Sequence, residues 1–195
     1  YMAGGEIMFI GRERELSSLE KLYRSDKFEF AVVYGRRRVG KTALLSHFIK
    51  DKNSIYFMGI ESNAKQNLEN FSRSILESDS RNPAESVFLT FQSALEYVFR
   101  RSEQERIILV IDEYPYVARS SKSFSSVLQL LIDQYKDRSK LMLIFAVPPC
   151  LIWRIMCWHI KPPCTGDEPH SLRSYPLTFL KHAAISEIFL HLTVP

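Results

Sequence analysis

Gly35-Arg36-Arg37-Arg38-Val39-Gly40-Lys41-Thr42 constrains this chain more than any other stretch. The eight residues fit G-x-x-x-x-G-K-[ST]. The apolar run Phe30-Ala31-Val32-Val33-Tyr34 precedes them, and in residues 42–50 that follow, Leu44, Leu45, Phe48 and Ile49 recur at helical spacing. A strand that ends in a glycine-bearing turn and opens a helix curls its backbone N–H groups inward. The helix adds the positive end of its dipole, about half a charge. Such a turn is built for phosphate oxygens. Lys41 is placed to reach the β and γ phosphates, Thr42 to offer its hydroxyl to Mg²⁺, and the backbone from Gly35 to Ala43 to line the cradle. A basic surface turn would explain neither the strand before nor the helix after.

A second apolar run, Ile107-Ile108-Leu109-Val110-Ile111, ends on Asp112-Glu113. Buried strands of open α/β sheets deliver their C-terminal residues to the crevice where ligands bind. Asp112 is therefore a candidate holder of Mg²⁺, directly or through water, and Glu113 a candidate base that polarises an attacking water. Acidic residues also follow strands as helix caps, and alone this pair would fit that role as well. Beside a complete phosphate loop the catalytic reading takes precedence. Helical spacing also covers residues 12–25, 63–78, 83–101 and 123–136, while short β-rich runs cover 28–34, 54–58, 106–111 and 141–145. This alternation predicts an α/β fold, a three-layer sandwich around a mainly parallel sheet.

With 195 residues the chain holds one sizeable core plus an appendage. A net charge of +4 is too mild to argue by itself for nucleic acid or a membrane surface. The Arg36-Arg37-Arg38 run has the charge to neutralise backbone phosphates, but no aromatic platform is interleaved with it. It reads instead as the variable part of the loop, solvated or shielding nucleotide charge. The longest uncharged stretch, 141–153, carries Pro148 and Pro149 and falls short of the roughly 20 apolar residues of a spanning helix. Residues 1–7 show neither a basic nor an apolar signal region and read as a leader ahead of a start at Met8, which makes a cytoplasmic location the expectation.

Three segments in order carry a family likeness: Phe9-Ile10-Gly11-Arg12-Glu13-Arg14-Glu15-Leu16, the loop from Gly35 to Thr42, and Asp112-Glu113-Tyr114-Pro115-Tyr116. Over residues 8–145 the chain resembles the archaeal-type ATPase domain of the AAA+/STAND P-loop NTPase superfamily. The resemblance implies ATP as ligand, with Phe9, Ile10 and Gly11 near the adenine, Lys41 and Thr42 on phosphate and Mg²⁺, and Asp112 and Glu113 as the hydrolytic pair. It also implies the sheet order 5-1-4-3-2. Longer relatives carry winged-helix and nuclease-like regions, so nucleic acid is expected as a partner only through such regions or through the arginine loop. Two functional classes follow, an ATP hydrolase and a nucleotide-binding regulatory module with little turnover. A nucleic-acid-associated binder using Arg36, Arg37 and Arg38 is a third.

Residues 146–195 depart from this pattern: all three Cys, both Trp and seven of the nine Pro lie there. Relatives follow the fourth strand with a Cys-Gly-Ser-Ser-like run that senses the γ-phosphate, then a Lys-x-Pro-Leu-Tyr-Gly-Arg-Arg-like segment. This chain has Ala146-Val147-Pro148-Pro149-Cys150-Leu151. Codons for those six residues, read one base earlier, can spell Cys-Gly-Ser-Ser-Met-Ser. The same shift across 161–169 allows Lys-Ala-Pro-Leu-Tyr-Gly-Arg-Arg-Thr. The tail is therefore expected to be out of frame, to lack the fifth strand, and to leave the phosphate-loop strand as a sheet edge prone to self-association. A competing reading makes Cys150, Cys157, His159, Cys164 and His170 zinc ligands, but their spacing lacks the close C-x₂-C pairs of structural zinc sites.

Overall fold

The apolar runs form the middle layer of the molecule. A computed structural model of the chain describes residues 12–36, 38–79, 88–148 and 187–192. Its strands are β1 (Glu29–Gly35), β2 (Ser54–Met58), β3 (Ile107–Asp112), β4 (Leu141–Val147) and β5 (Glu187–Leu192). All are paired in parallel, in the order β2-β3-β4-β1-β5, which is the expected 5-1-4-3-2 read from the other edge. The helices are α1 (Glu13–Tyr23), α2 (Lys41–Ile49), α3 (Ala64–Ser78), α4 (Phe91–Gln104), α5 (Tyr114–Ser120) and α6 (Phe124–Tyr135).

Every residue of β3 and β4 is buried, as a parallel sheet covered on both faces requires. Ile108 and Val110 turn to one face, where Leu19 and Leu22 of α1 and Leu44, Leu45 and Phe48 of α2 cover them. Ile107, Leu109 and Ile111 turn to the other, into a larger cluster with Phe71, Leu95, Phe99, Val117 and Leu128 of the remaining four helices. Aromatic rings fill this second layer, among them Phe57 against Phe71 at 4.9 Å and Tyr114 stacked on Phe145 at 4.5 Å.

Several expectations need correction. The helix read over 83–101 begins at Phe91: Thr90 is extended, its side chain accepts from the Ser93 N–H, and Ser93 returns the bond, a capping box stronger than the apolar periodicity upstream. Helix α5, unread in the sequence, occupies Tyr114–Ser120 with Pro115 in its first turn, too short for a periodic signal. Strand β4 runs on past Phe145 through Ala146 and Val147, both buried. The fifth strand is present. Its backbone pairs with β1 from Phe30↔Glu187 to Gly35↔Leu192, so β1 is an inner strand and not the exposed edge expected. The tail's prolines do not prevent this, because residues 177–194 contain none and the run Glu187-Ile188-Phe189-Leu190-His191-Leu192 can supply a full ladder of N–H donors. Among the described residues, no helix is long and apolar enough to cross a membrane.

Candidate functional site

Parallel pairing brings the C-terminal ends of the strands to one rim, and the two motifs meet there. Val33 of β1 and Asp112 of β3 both pair with Ala146 of the intervening β4, so Asp112 stands level with the last turn of chain before the loop. From that level the loop rises through Gly35 and Arg36 and returns at Gly40, whose φ of 86° needs glycine. Arg38 also adopts a left-handed conformation, with φ 66°. Buried Val39, packed among the α1 and α2 residues, ties the loop down.

Gly40 caps α2 without a side chain, and no acidic residue occupies the first turn of that helix. Among the described residues no side chain accepts from the amides there, which suits an anion. Arg36 and Arg38 are exposed beside them. The Lys41 ammonium lies inside the loop, donating to the carbonyls of Gly35 at 2.9 Å and Arg36 at 3.2 Å. Arg12, nearly buried, donates from Nη2 to the Val39 carbonyl at 2.9 Å and pairs through Nη1 with Glu15 at 3.2 Å. It joins the start of α1 to the middle of the loop. Its place in the Phe9 to Leu16 motif was visible, but its contact 27 residues away was not.

Thr42 Oγ1 donates to Asp112 Oδ2 at 3.0 Å, across 70 residues of sequence. The Tyr56 hydroxyl donates to the same oxygen at 2.5 Å, and the Glu113 N–H donates to Oδ1 at 2.9 Å. Three donors therefore orient a carboxylate that is 3% exposed. Burial, reinforced by the hydrogen bond and charge of Asp112, raises the Tyr56 phenol above its ordinary pKa, so it remains a protonated donor. Tyr56 was absent from the sequence-based site. No local signal marks it, since it lies on β2 in an ordinary alternating strand.

Glu113 adopts φ 50°, ψ 41° at the N-terminus of α5, and its side chain makes no capping bond. Glu113 therefore stands at the cap position of α5 without capping it through its side chain. A non-glycine residue held in this region is costly and is found where surrounding structure imposes it. Here the backbone of Gly59 presses from the β2 side: its N–H donates to the Asp112 carbonyl at 2.8 Å, and a Cβ at Gly59 would lie 2.8 Å from the Glu113 carbonyl oxygen. Buried Asn67 fixes the segment after Gly59 by accepting from Ile60 N at 3.0 Å and donating to Ile60 O at 3.1 Å.

The oxygen donors present suit a hard divalent cation. Thr42 Oγ1 uses its hydrogen on Asp112 and keeps its lone pairs, while Asp112 supplies charge. Of the residues expected from sequence, Gly35, Arg36, Arg38, Val39, Gly40, Lys41, Thr42, Ala43, Asp112 and Glu113 lie at this rim. Phe9, Ile10, Gly11 and Arg37 lie outside the described residues, as do Cys150, Cys157, His159, Cys164 and His170. Among the described residues no His, Cys, Asp and Glu group forms a metal-binding cluster of three.

Comparison with known proteins agrees with this geometry. Residues 9–148 match the family described as an ATPase domain predominantly from Archaea. A Methanocaldococcus jannaschii protein, MJECL04, is 30% identical over 180 residues, covering 90% of this chain; the chain spans 37% of that relative's length. The ATP-binding protein MJ0423 of the same organism is 44% identical over 48 residues, 25% of this chain and 81% of the relative. Among solved structures, the Walker-type ATPase PABY2304 of Pyrococcus abyssi superposes with a TM-score of 0.57 at 18% identity, covering 93% of this chain and 53% of the other. The Drosophila ORC bound to DNA gives 0.57 at 19% identity, over 94% and 43%. These two likenesses concern the fold, a P-loop ATPase α/β sandwich. The family match spans most of the chain, and the chain belongs to the ATPase domain family found predominantly in Archaea.

Proposed function

We propose that this domain binds ATP with Mg²⁺ and hydrolyses it at the rim formed by the phosphate loop, Thr42, Asp112 and Glu113. The observation that carries the reading is the 3.0 Å bond from Thr42 Oγ1 to Asp112 Oδ2, which joins two motifs 70 residues apart in one oxygen-donor site. The amides from Gly35 to Ala43 hold the phosphates, and Lys41 exchanges its two carbonyl partners for phosphate oxygens. Thr42 and Asp112 would hold Mg²⁺, and the cation would supply positive charge beside the phosphate oxygens. Glu113 follows Asp112 directly and orients the attacking water, accepting its proton.

Calorimetry with ATP in the presence and absence of Mg²⁺ tests binding, and Lys41→Ala is the decisive variant. Charge-assisted hydrogen bonds contribute about 1.5–3 kcal/mol each, so losing the ammonium should weaken binding at least about tenfold. Equal affinities would refute the assignment. Glu113→Gln keeps the shape and removes the base; it should leave ATP bound and lower turnover about 10²- to 10⁴-fold. A domain that binds ATP tightly but has no turnover for Glu113→Gln to remove would be a nucleotide-dependent switch instead.

A further inference from the structure

The two oxygens of Asp112 are used unequally. Oδ2 accepts from both Thr42 Oγ1 at 3.0 Å and the Tyr56 hydroxyl at 2.5 Å, whereas among the described residues Oδ1 accepts from the Glu113 N–H alone, at 2.9 Å. A carboxylate oxygen offers about two lone-pair directions. Oδ2 is therefore filled by the chain itself, and the remaining capacity of the carboxylate is at Oδ1.

The fold explains how Tyr56 reaches this far. In the β2–β3 register Met58 pairs with Asp112 and Tyr56 with Val110, so Tyr56 starts one side-chain repeat below the carboxylate on the same sheet face. Ile55 and Phe57 turn to the opposite face and are buried in the larger cluster. Tyr56 packs partly against the cluster beneath α2, and its length carries the hydroxyl up to the rim. A shorter side chain at this position would not span the step.

We infer that Tyr56 is a positioning residue of the magnesium site, its hydroxyl pinning Asp112 so that one acceptor direction, at Oδ1, is left for the cation or its bound water. The inference rests on the reading of Thr42 and Asp112 as the metal-holding pair. Tyr56 touches neither nucleotide nor metal and acts through Asp112. Residues that orient a ligating group typically change metal affinity about 10- to 100-fold when removed.

The test uses Mn²⁺ as a probe, with binding in the presence of ADP followed by electron paramagnetic resonance, alongside nucleotide affinity in EDTA. Tyr56→Phe removes only the hydroxyl. It should weaken Mn²⁺ binding about 10- to 100-fold while leaving metal-free ADP affinity unchanged. Tyr97→Phe is the structural control, because it removes another tyrosine hydroxyl bonded to a carboxylate, that of Asp79, far from the rim. It should leave Mn²⁺ binding untouched even if it lowers stability. Placing p-aminophenylalanine at position 56 restores a donor to the same ring and should recover Mn²⁺ affinity, so the inference remains testable should Tyr56→Phe fold poorly. Unchanged Mn²⁺ binding in folded Tyr56→Phe, or an equal loss in Tyr97→Phe, overturns the role of Tyr56 alone. Metal-independent ADP affinity in the unmodified protein overturns the metal site itself, and this inference with it.

Discussion

Gly59→Ala is a methyl-sized perturbation aimed at Glu113. An added Cβ would meet Val117 Cγ2 at 2.6 Å, the Glu113 carbonyl oxygen at 2.8 Å and the Val117 backbone nitrogen at 3.4 Å. The first two contacts are far inside van der Waals separation, and neither neighbour yields easily. Val117 is β-branched and fully buried, and the Glu113 carbonyl belongs to a backbone already in a left-handed conformation. On the other side, Gly59 is held by its bond to the Asp112 carbonyl and by Asn67 on the adjoining residue. Overpacking of this kind costs about 1–3 kcal/mol. Reduced freedom of the unfolded chain returns about 0.4–1 kcal/mol, because alanine replaces glycine. The net loss is up to about 2.6 kcal/mol, a fall of up to roughly 1.3 M in the urea midpoint at a slope of about 2 kcal/mol/M. The functional consequence is larger. If α5 and the Glu113 peptide shift to make room, turnover should fall about 10²-fold, the effect of a 1 Å misplacement of a reacting group. ATP binding should hold, since the loop and Lys41 are not touched by Gly59. Urea unfolding, calorimetry and phosphate release on one preparation measure all three. A variant with unchanged stability and turnover would refute the close approach, and one that lost binding and turnover equally would refute its specificity for Glu113.

Two further expectations follow. Glu29 lies at the opposite end of β1, 1% exposed, with Lys27 3.9 Å away and, among the described residues, no hydrogen-bond partner for Oε2; burial raises its pKa above the ordinary carboxylate value. The unfolded chain then releases this proton at lower pH than the folded one, so stability is lost as pH rises from about 4.5 toward the folded pKa. Glu29→Gln should remove that loss and flatten the urea midpoint over this window, and an unaltered pH profile would contradict the assignment. The frame change proposed at residue 146 is read directly by sequencing the encoding DNA: the shifted frame should spell Cys-Gly-Ser-Ser and then Lys-Ala-Pro-Leu-Tyr-Gly-Arg-Arg-Thr, and wobble bases that spell neither would dismiss it.

What the sequence made legible was local. The loop from Gly35 to Thr42 and the Asp112-Glu113 pair each announce themselves within eight residues, because glycine, lysine and a strand-terminal acid are forced by the chemistry at their own positions. Strands β1 to β4 followed from their apolar runs for the same reason. Where structure departs from pattern, the causes differ. Helix α4 starts at Phe91 because one Thr90–Ser93 exchange outweighs several apolar residues upstream. Strand β5 stands in a tail rich in proline, but a parallel ladder of six residues needs only a short proline-free run and a partner, here more than 150 positions away in β1.

Tyr56 marks the deeper limit. Nothing at residues 54–58 distinguishes it from an aromatic that fills a sheet face, and its bond to Asp112 arises from two independent facts of assembly. The β2–β3 register sets it two residues below Asp112, and α2 brings Thr42 to the same carboxylate oxygen. A slip of one residue in that register would send Tyr56 to the opposite face and bring Ile55 or Phe57 to the Asp112 side, where neither has a donor to offer. The proposed metal-holding geometry therefore depends on strand registration as much as on the motif residues. That registration is set by the apolar alternation of Ile55 and Phe57, buried against Phe71 and its neighbours on the far side of the sheet. Core packing on one face fixes the donor on the other.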